Sequence, residues 1–262
     1  MKLDLPDTYN AATTFIDDNI KAGRGKKPAI YYLDRKVTYQ EVFEAVNRTG
    51  NALRELGLDI EQRVLLILPD CPEFAFCFFG AIKIGAVPIP TNPWMKAKDY
   101  EYLLHDSRAR IVIVHESTLP EVESIWDRPR YLKHVIVVGK PTGKALSYEA
   151  LLPKASARLE AEPTSRDDIA MWLYTSGSTG SPKGAVHLHH DMITITDLFV
   201  KPVLGMREDD LCFSGSKLFF AYGLGNSLYF PFRFGASTVL WPERPDPEKI
   251  LQAIDKYRPT FF

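Results

Sequence analysis

The sequence predicts an α/β fold, on three observations. Short apolar runs alternate with segments of helical period along the whole chain. The run Arg63-Val64-Leu65-Leu66-Ile67-Leu68 is continuous rather than alternating, the pattern of a strand covered on both faces in a parallel sheet. The 262 residues are 45% hydrophobic and 25% charged, the balance of an ordinary soluble globular chain with a sizeable core.

Taken in order, a helix is expected over residues 11–21, stopping at Gly23, followed by a hairpin-like pair at 29–33 and 36–39 around Asp34-Arg35. Thr38 and Glu41 have the spacing of a capping box, and Val42, Val46, Leu53 and Leu56 give the helix behind it one apolar face that ends at Gly57. After the strand at 63–68, Pro72-Glu73 suits a first helical turn, Phe74, Phe78, Ala81 and Ile82 line one side, and Gly85 closes the segment before a strand at 86–90. The alternation continues with strands at 110–114 and 135–138 and helices near 99–105 and 119–125. Polar, Pro-containing sequence at 154–168 breaks the rhythm and divides the chain into a first α/β subdomain, residues 1–162, and a second, 163–262. In the second, strands at 169–174, 211–214 and 236–241 alternate with helices near 191–199, 226–232 and 247–257. Residues 258–262 read as the opening of a further buried strand, so the sequence is expected to be part of a longer protein, its fold incomplete at the C-terminus.

Charge narrows the partners. Lys plus Arg is 32 against Asp plus Glu 33, a net charge of −1, which lacks the surplus that nucleic-acid or anionic-membrane binding uses. Small-molecule substrates are the expected partners, with no nucleic acid and no membrane. No signal-peptide core opens the chain and no apolar stretch of membrane-spanning length occurs, which fits a cytoplasmic protein. Cys71, Cys77 and Cys212 form no C-x-x-C pair and read as buried thiols in a reducing compartment.

The segment with the most specific chemistry is Tyr174-Thr175-Ser176-Gly177-Ser178-Thr179-Gly180-Ser181-Pro182-Lys183-Gly184, directly after an apolar strand. Glycines permit positive φ and close backbone approach, so N–H groups converge on anionic oxygens while the Ser and Thr hydroxyls add donors. Lys183 supplies a compact positive charge. The loop is a phosphate cradle at the carboxyl end of a strand. It is not a Walker A loop, because Pro182 and Gly184 flank the lysine where that loop has Gly and Ser or Thr, and it contains neither G-x-G-x-x-G nor G-x-S-x-G.

In these residues the sequence resembles the acyl-adenylate-forming family of acyl-CoA and aryl-CoA synthetases, luciferase-like enzymes and peptide-synthetase adenylation domains. The resemblance runs from Thr38-Tyr39 through 64–69 and 80–90 to the region after His189, and covers about the first half of a full-length member. It implies that Thr175, Ser176, Gly177, Ser178, Thr179, Gly180 and Lys183 bind nucleotide phosphates. It also implies ATP, Mg2+ and coenzyme A as substrates or cofactor, with the magnesium carboxylate and the adenylation lysine beyond Phe262.

A second stretch, Lys217-Leu218-Phe219-Phe220-Ala221-Tyr222-Gly223-Leu224-Gly225-Asn226, resembles the corresponding stretch of the benzoate-CoA ligases. Many family members have His where this chain has Phe220, so a polar aromatic group is replaced by a flat apolar one. The resemblance implies that Phe220, Ala221, Tyr222 and Gly223 border the acyl ring, and aromatic surfaces suit a benzoate-sized ring by apolar burial and stacked or edge contacts. Phe230, Phe232 and Phe234 read as core. His187, His189 and His190 lack a second ligand cluster, so no metal site is expected, and His189 is expected to pack or hydrogen-bond near the next helix. The expected activity is ATP-dependent conversion of benzoate or a close analogue, through an acyl-adenylate, to its CoA thioester. The 262 residues alone are expected to be inactive. The rivals are a ligase for another aromatic or small aliphatic acid, and a nucleotide-binding fragment without turnover.

Overall fold

A computed structural model describes residues 5–175 and 180–262. The first helical segment combines a π-helical turn at Thr13–Asp17 with α1, Asp18–Lys21. A hairpin follows, β1 Pro28–Tyr32 and β2 Arg35–Thr38, then α2 Tyr39–Glu55. The Thr38–Glu41 capping box forms as expected: the Thr38 Oγ1 accepts the Glu41 N–H and the Glu41 carboxylate accepts the Thr38 N–H at 2.7 Å.

Three β–α units come next: β3 Arg63–Ile67 with α3 Pro72–Lys83, β4 Val87–Pro90 with α4 Ala97–Ser107, and β5 Ile111–His115 with α5 Leu119–Glu123. Then come β6 His134–Val138, the two-residue β7 Leu146–Ser147 and α6 Tyr148–Leu151. These strands make a wholly parallel sheet in the order β4-β3-β5-β6-β7. Both faces are dry, as the continuous apolar run requires. Val64, Leu66, Ile111 and Ile113 pack into the core around α3, while Leu65, Ile67, Val112 and Val114 pack into a second core under α4 and α5.

The central helix α3 is buried along nearly its whole length, including Phe74, Phe78 and Phe79. It lies against α2 at a glycine contact, since a Cβ on Gly50 would sit 3.0 Å from the Gly80 carbonyl and 2.5 Å from the Leu159 side chain. At its end the fully buried Lys83 ammonium is neutralised by the Asp17 carboxylate, to whose oxygens it donates at 2.7 and 2.8 Å, and it also donates to Asn47 Oδ1 at 2.8 Å.

The connection after residue 154 is largely irregular up to β8 Ile169–Thr175. Here the structure departs from the expected strand–helix rhythm, because β8 turns back into β9, Lys183–Leu188, as an antiparallel pair. α7 His189–Ile195 then runs into a π-helical stretch, Thr196–Leu204. β10 is only Leu211–Cys212. The aromatic region is helical from α8 Ala221–Leu224 through a π-turn at Gly225–Tyr229 into α9 Phe230–Phe234, and β11 Ser237–Leu240 and α10 Pro247–Tyr257 complete it. Phe261 makes a single parallel bridge with Cys212. The remaining sheet has the order β10-β11-β1-β2, with Ile30 opposite Thr238, and so takes strands from both sides of the division at 162/163.

Candidate active site

The segment expected to bind phosphate begins at the end of β8 and closes at the start of β9, where the register pairs Thr175 with Lys183. The ammonium-bearing strand therefore starts opposite the strand that enters the loop, and both residues are exposed. Gly180 has φ +119°, a conformation open to glycine and costly for residues with a Cβ. Of the expected phosphate-binding residues, Thr175, Gly180 and Lys183 are described, while Ser176, Gly177, Ser178 and Thr179 lie outside the described residues.

Both arms of the hairpin are tethered to α4. The Tyr174 hydroxyl donates to Asp106 Oδ2 at 2.6 Å, and the Tyr102 hydroxyl donates to the Pro182 carbonyl at 2.9 Å. Burial, with the Asp106 carboxylate beside it, pushes the Tyr174 phenol well above its ordinary pKa, so it remains a donor. Sequence reasoning missed these tethers, because α4 precedes the loop by some seventy residues and polar groups on a helix face carry no sign of a distant partner.

The aromatic stretch is positioned from beneath by a buried ion pair. The Lys217 ammonium lies 3.5 Å from Asp70 and donates to the Trp241 carbonyl, while Asp70 Oδ1 accepts the Leu218 N–H at 3.0 Å. Burial raises the Asp70 carboxyl to about pKa 6 against the opposing pull of Lys217. From this anchor the chain turns through Phe220, whose N–H donates to the Lys217 carbonyl at 2.9 Å, into α8. Gly223 is required at this bend, because a Cβ there would meet the Lys217 and Ser216 carbonyl oxygens at 2.3 and 2.4 Å.

Phe220 and Tyr222 are 55% and 62% exposed, and Ala221 is exposed beside them, so the segment presents an apolar face rather than core packing. Phe220 also lies against Phe219, ring centroids 4.4 Å apart, and Phe219 meets Trp94 edge-on. Phe232 is fully buried, and Phe230 and Phe234 are half-buried against cores.

A mainly apolar groove of about 410 Å³ lies between β8 and α8. It runs from Leu173 on β8, past Met192, Ile195 and Phe199, to Ala221 and Tyr229. Ala221 thus shares the groove with Leu173 of β8, whereas Phe220, Tyr222 and Gly223 lie outside its lining. Its α7 residues recur at helical spacing, a pattern indistinguishable in sequence from ordinary core. His187 sits at its edge, 3.5 Å from Asp191. His189 is buried with its Nδ1 accepting the Ala11 N–H at 3.0 Å, and burial depresses its pKa to about 4. Among the described residues no group of three or more His, Cys, Asp and Glu side chains has a metal-holding arrangement.

A family model described as AMP-binding enzyme matches residues 17–262. The chain belongs to the AMP-binding enzyme family. This AMP-binding chain is 45% identical to the benzoate–CoA ligase of Thauera aromatica over 260 residues, 98% of the chain and 49% of that protein. Its fold superposes on the anthranilate CoA ligase AuaEII, solved with anthranoyl-AMP, with a TM-score of 0.95 at 39% identity, covering 98% of the chain and 50% of the other. A benzoate CoA ligase from Burkholderia xenovorans LB400 gives 0.88 at 36% identity, covering 97% and 50%. The chain therefore spans about half the length of the relatives it matches, and it shares their mixed α/β fold. No helix among its described residues is long and apolar enough to cross a membrane.

Proposed function

We propose that this chain supplies the nucleotide loop and one wall of the acyl site of an ATP-dependent aryl-CoA ligase acting on benzoate or a close analogue. The observation that supports the reading is the apolar groove running from Leu173, on the strand that leads into the 174–184 motif, to Ala221, a surface of a size to take an aromatic ring. In this chemistry the substrate carboxylate attacks the α-phosphorus of ATP, the bond to the β-phosphate oxygen breaks and pyrophosphate leaves. The thiol of coenzyme A then attacks the acyl carbon and AMP departs.

The part assigned to this chain is binding and positioning. Thr175, Ser176, Ser178 and Thr179, the backbone from Gly177 to Gly180, and Lys183 hold the β- and γ-phosphates. Held there, the nucleotide is oriented while Lys183 offsets anionic charge. Ala221, on the groove, receives the aromatic ring, and the exposed rings of Phe220 and Tyr222, outside the groove lining, are assigned to the outer rim of the acyl site. Among the described residues no cluster of carboxylates is arranged to hold magnesium.

The test is ATP–pyrophosphate exchange by the whole ligase carrying this chain, with benzoate, hydroxybenzoates, anthranilate and acetate as competing acids. Exchange fastest with benzoate or a simply substituted ring is expected. Preference for acetate would overturn the aryl assignment, and absence of exchange with every acid would favour a nucleotide-binding role without turnover. In the same assay Ala221→Leu is expected to weaken use of the ring with little change for ATP, by the roughly 1–3 kcal/mol typical of overpacking.

A further inference from the structure

At the N-terminal edge of the five-stranded sheet lies a cleft of about 540 Å³ lined by Arg63, Arg108, Arg110, Arg130, Tyr131 and Lys133. The strand register explains why these cations meet. Val64 is opposite Ile111 and Ile111 is opposite His134, so Arg63, Arg110 and Lys133, each just ahead of one of those residues, emerge side by side. Arg108 arrives from the C-terminal cap of α4 and Arg130 from the connection before β6.

Among the described residues none of these five cations has a carboxylate oxygen within 4 Å, although nearby Arg128 pairs with Glu101 and Arg54 with Glu162. In a chain of net charge −1, that leaves a concentrated positive field in a concave place. Two further features show a built cleft rather than scattered surface charge. Arg63 is fixed by donating from Nε to the Ser107 carbonyl at 2.7 Å and from Nη1 to the Glu61 carbonyl at 3.0 Å. Arg108 holds a left-handed backbone, φ +53°, where glycine is the ordinary residue, and its guanidinium shares the Tyr131 ring with that of Arg130 at 5.9 and 5.5 Å. Burial, with the adjacent Arg108 charge, lowers the Arg63 pKa against the opposing pull of Glu61 and Tyr174, as expected where cations crowd together.

We propose that this cleft binds a small oligophosphate anion, at a site whose lining includes no residue of the 174–184 motif, although Arg63 also lies over the Trp172 ring of β8 at 5.7 Å. Guanidinium forks match phosphate oxygens in geometry, and several converging cations favour a ligand with several charges over a single carboxylate. The volume is that of a small-molecule site. The proposal does not depend on the ligase reading, since it assigns no step of that reaction to the cleft.

Calorimetric titration of the 262-residue chain with sodium pyrophosphate tests it, using the parent, Lys183→Ala, and the double variant Arg108→Gly/Arg130→Ala. Glycine suits the left-handed position and both arginines are exposed, so the double variant is expected to melt no lower than the parent. Saturable binding that persists in Lys183→Ala and weakens by roughly tenfold or more in the double variant is the expected result. Absence of saturable binding, or binding lost in Lys183→Ala and kept in the double variant, would overturn the proposal. AMP and ATP form a second arm. ATP binding the cleft with AMP binding far more weakly supports recognition of the phosphate chain, whereas equal binding of both without pyrophosphate binding refutes it. Cleft-dependent retention on heparin without pyrophosphate binding would reassign the site to a macromolecular polyanion.

Discussion

Lys183 and Lys217 put the same side chain to opposite uses. Lys183 is exposed at the neck of the hairpin, where an ammonium remains available to a ligand, while Lys217 is almost fully buried and committed to Asp70 and the Trp241 carbonyl. On the proposed ligase reading, Lys183→Ala in the whole protein is expected to raise the KM for ATP by the equivalent of about 1.5–3 kcal/mol, the range for a charged hydrogen bond, with the KM for the acid little changed. Equal ATP kinetics in variant and parent would remove Lys183 from the phosphate site. Lys217→Met leaves the Asp70 carboxylate buried without its partner and should destabilise the fold by about 3–5 kcal/mol in urea titrations. Adding Asp70→Asn, which keeps an oxygen for the Leu218 N–H, should recover part of that loss; no recovery would mean that the pair is not coupled. Lys183 could be put forward from the sequence because its motif is contiguous. The Asp70 and Lys217 pair was not, because its members are far apart in the chain and neither residue type announces a buried partner.

Elements with a local cause are where sequence reading and structure agree best. α2 begins at the expected capping box, α10 covers the expected residues 247–257 behind the Asp246 cap, and the parallel sheet follows from apolar runs that must be dry on both faces. Thr38→Ala should cost about 1 kcal/mol, read as a lower urea midpoint at unchanged slope. A changed slope would mean that the substitution does more than remove a cap. β9 escaped sequence reading because its residues are all half-buried or exposed, with Val186 turned to solvent, and the strand is defined by pairing with β8 rather than by an apolar run. The helix around Asn226 starts earlier than expected, at Ala221, since its first turn is built from Gly, Tyr and Ala and holds no helical apolar stripe. The acyl-side candidates were legible only as a resemblance; spacing could not separate exposed Phe220 and Tyr222 from buried Phe232.

Across the whole molecule, two buried groups act in opposite directions on stability as pH changes. His189 is depressed to about pKa 4 from an unfolded value near 6.5, so its contribution is complete above about pH 6.5 and is lost as pH falls through 4. That contribution is about 3 kcal/mol, and His189→Gln should flatten the corresponding fall in unfolding free energy between those limits; parallel curves for variant and parent would refute the assignment. Asp70, raised to about 6, gives stability that is fully present below its unfolded value near 4 and is lost as pH rises through 6, so Asp70→Asn should shift the curve in the opposite sense. The sheet order β10-β11-β1-β2 has a further consequence, for synthesis in the cell. β1 leaves the ribosome with β2 on one side and nothing on the other, because its parallel partner β11 is encoded roughly two hundred residues later. At about 5–20 residues per second that open edge waits on the order of 10–40 s, a template for pairing with a neighbouring nascent chain. A ribosome stalled before Ser237 would hold β1 in that state, making this early hairpin a natural binding point for chaperones that shield unpaired strands.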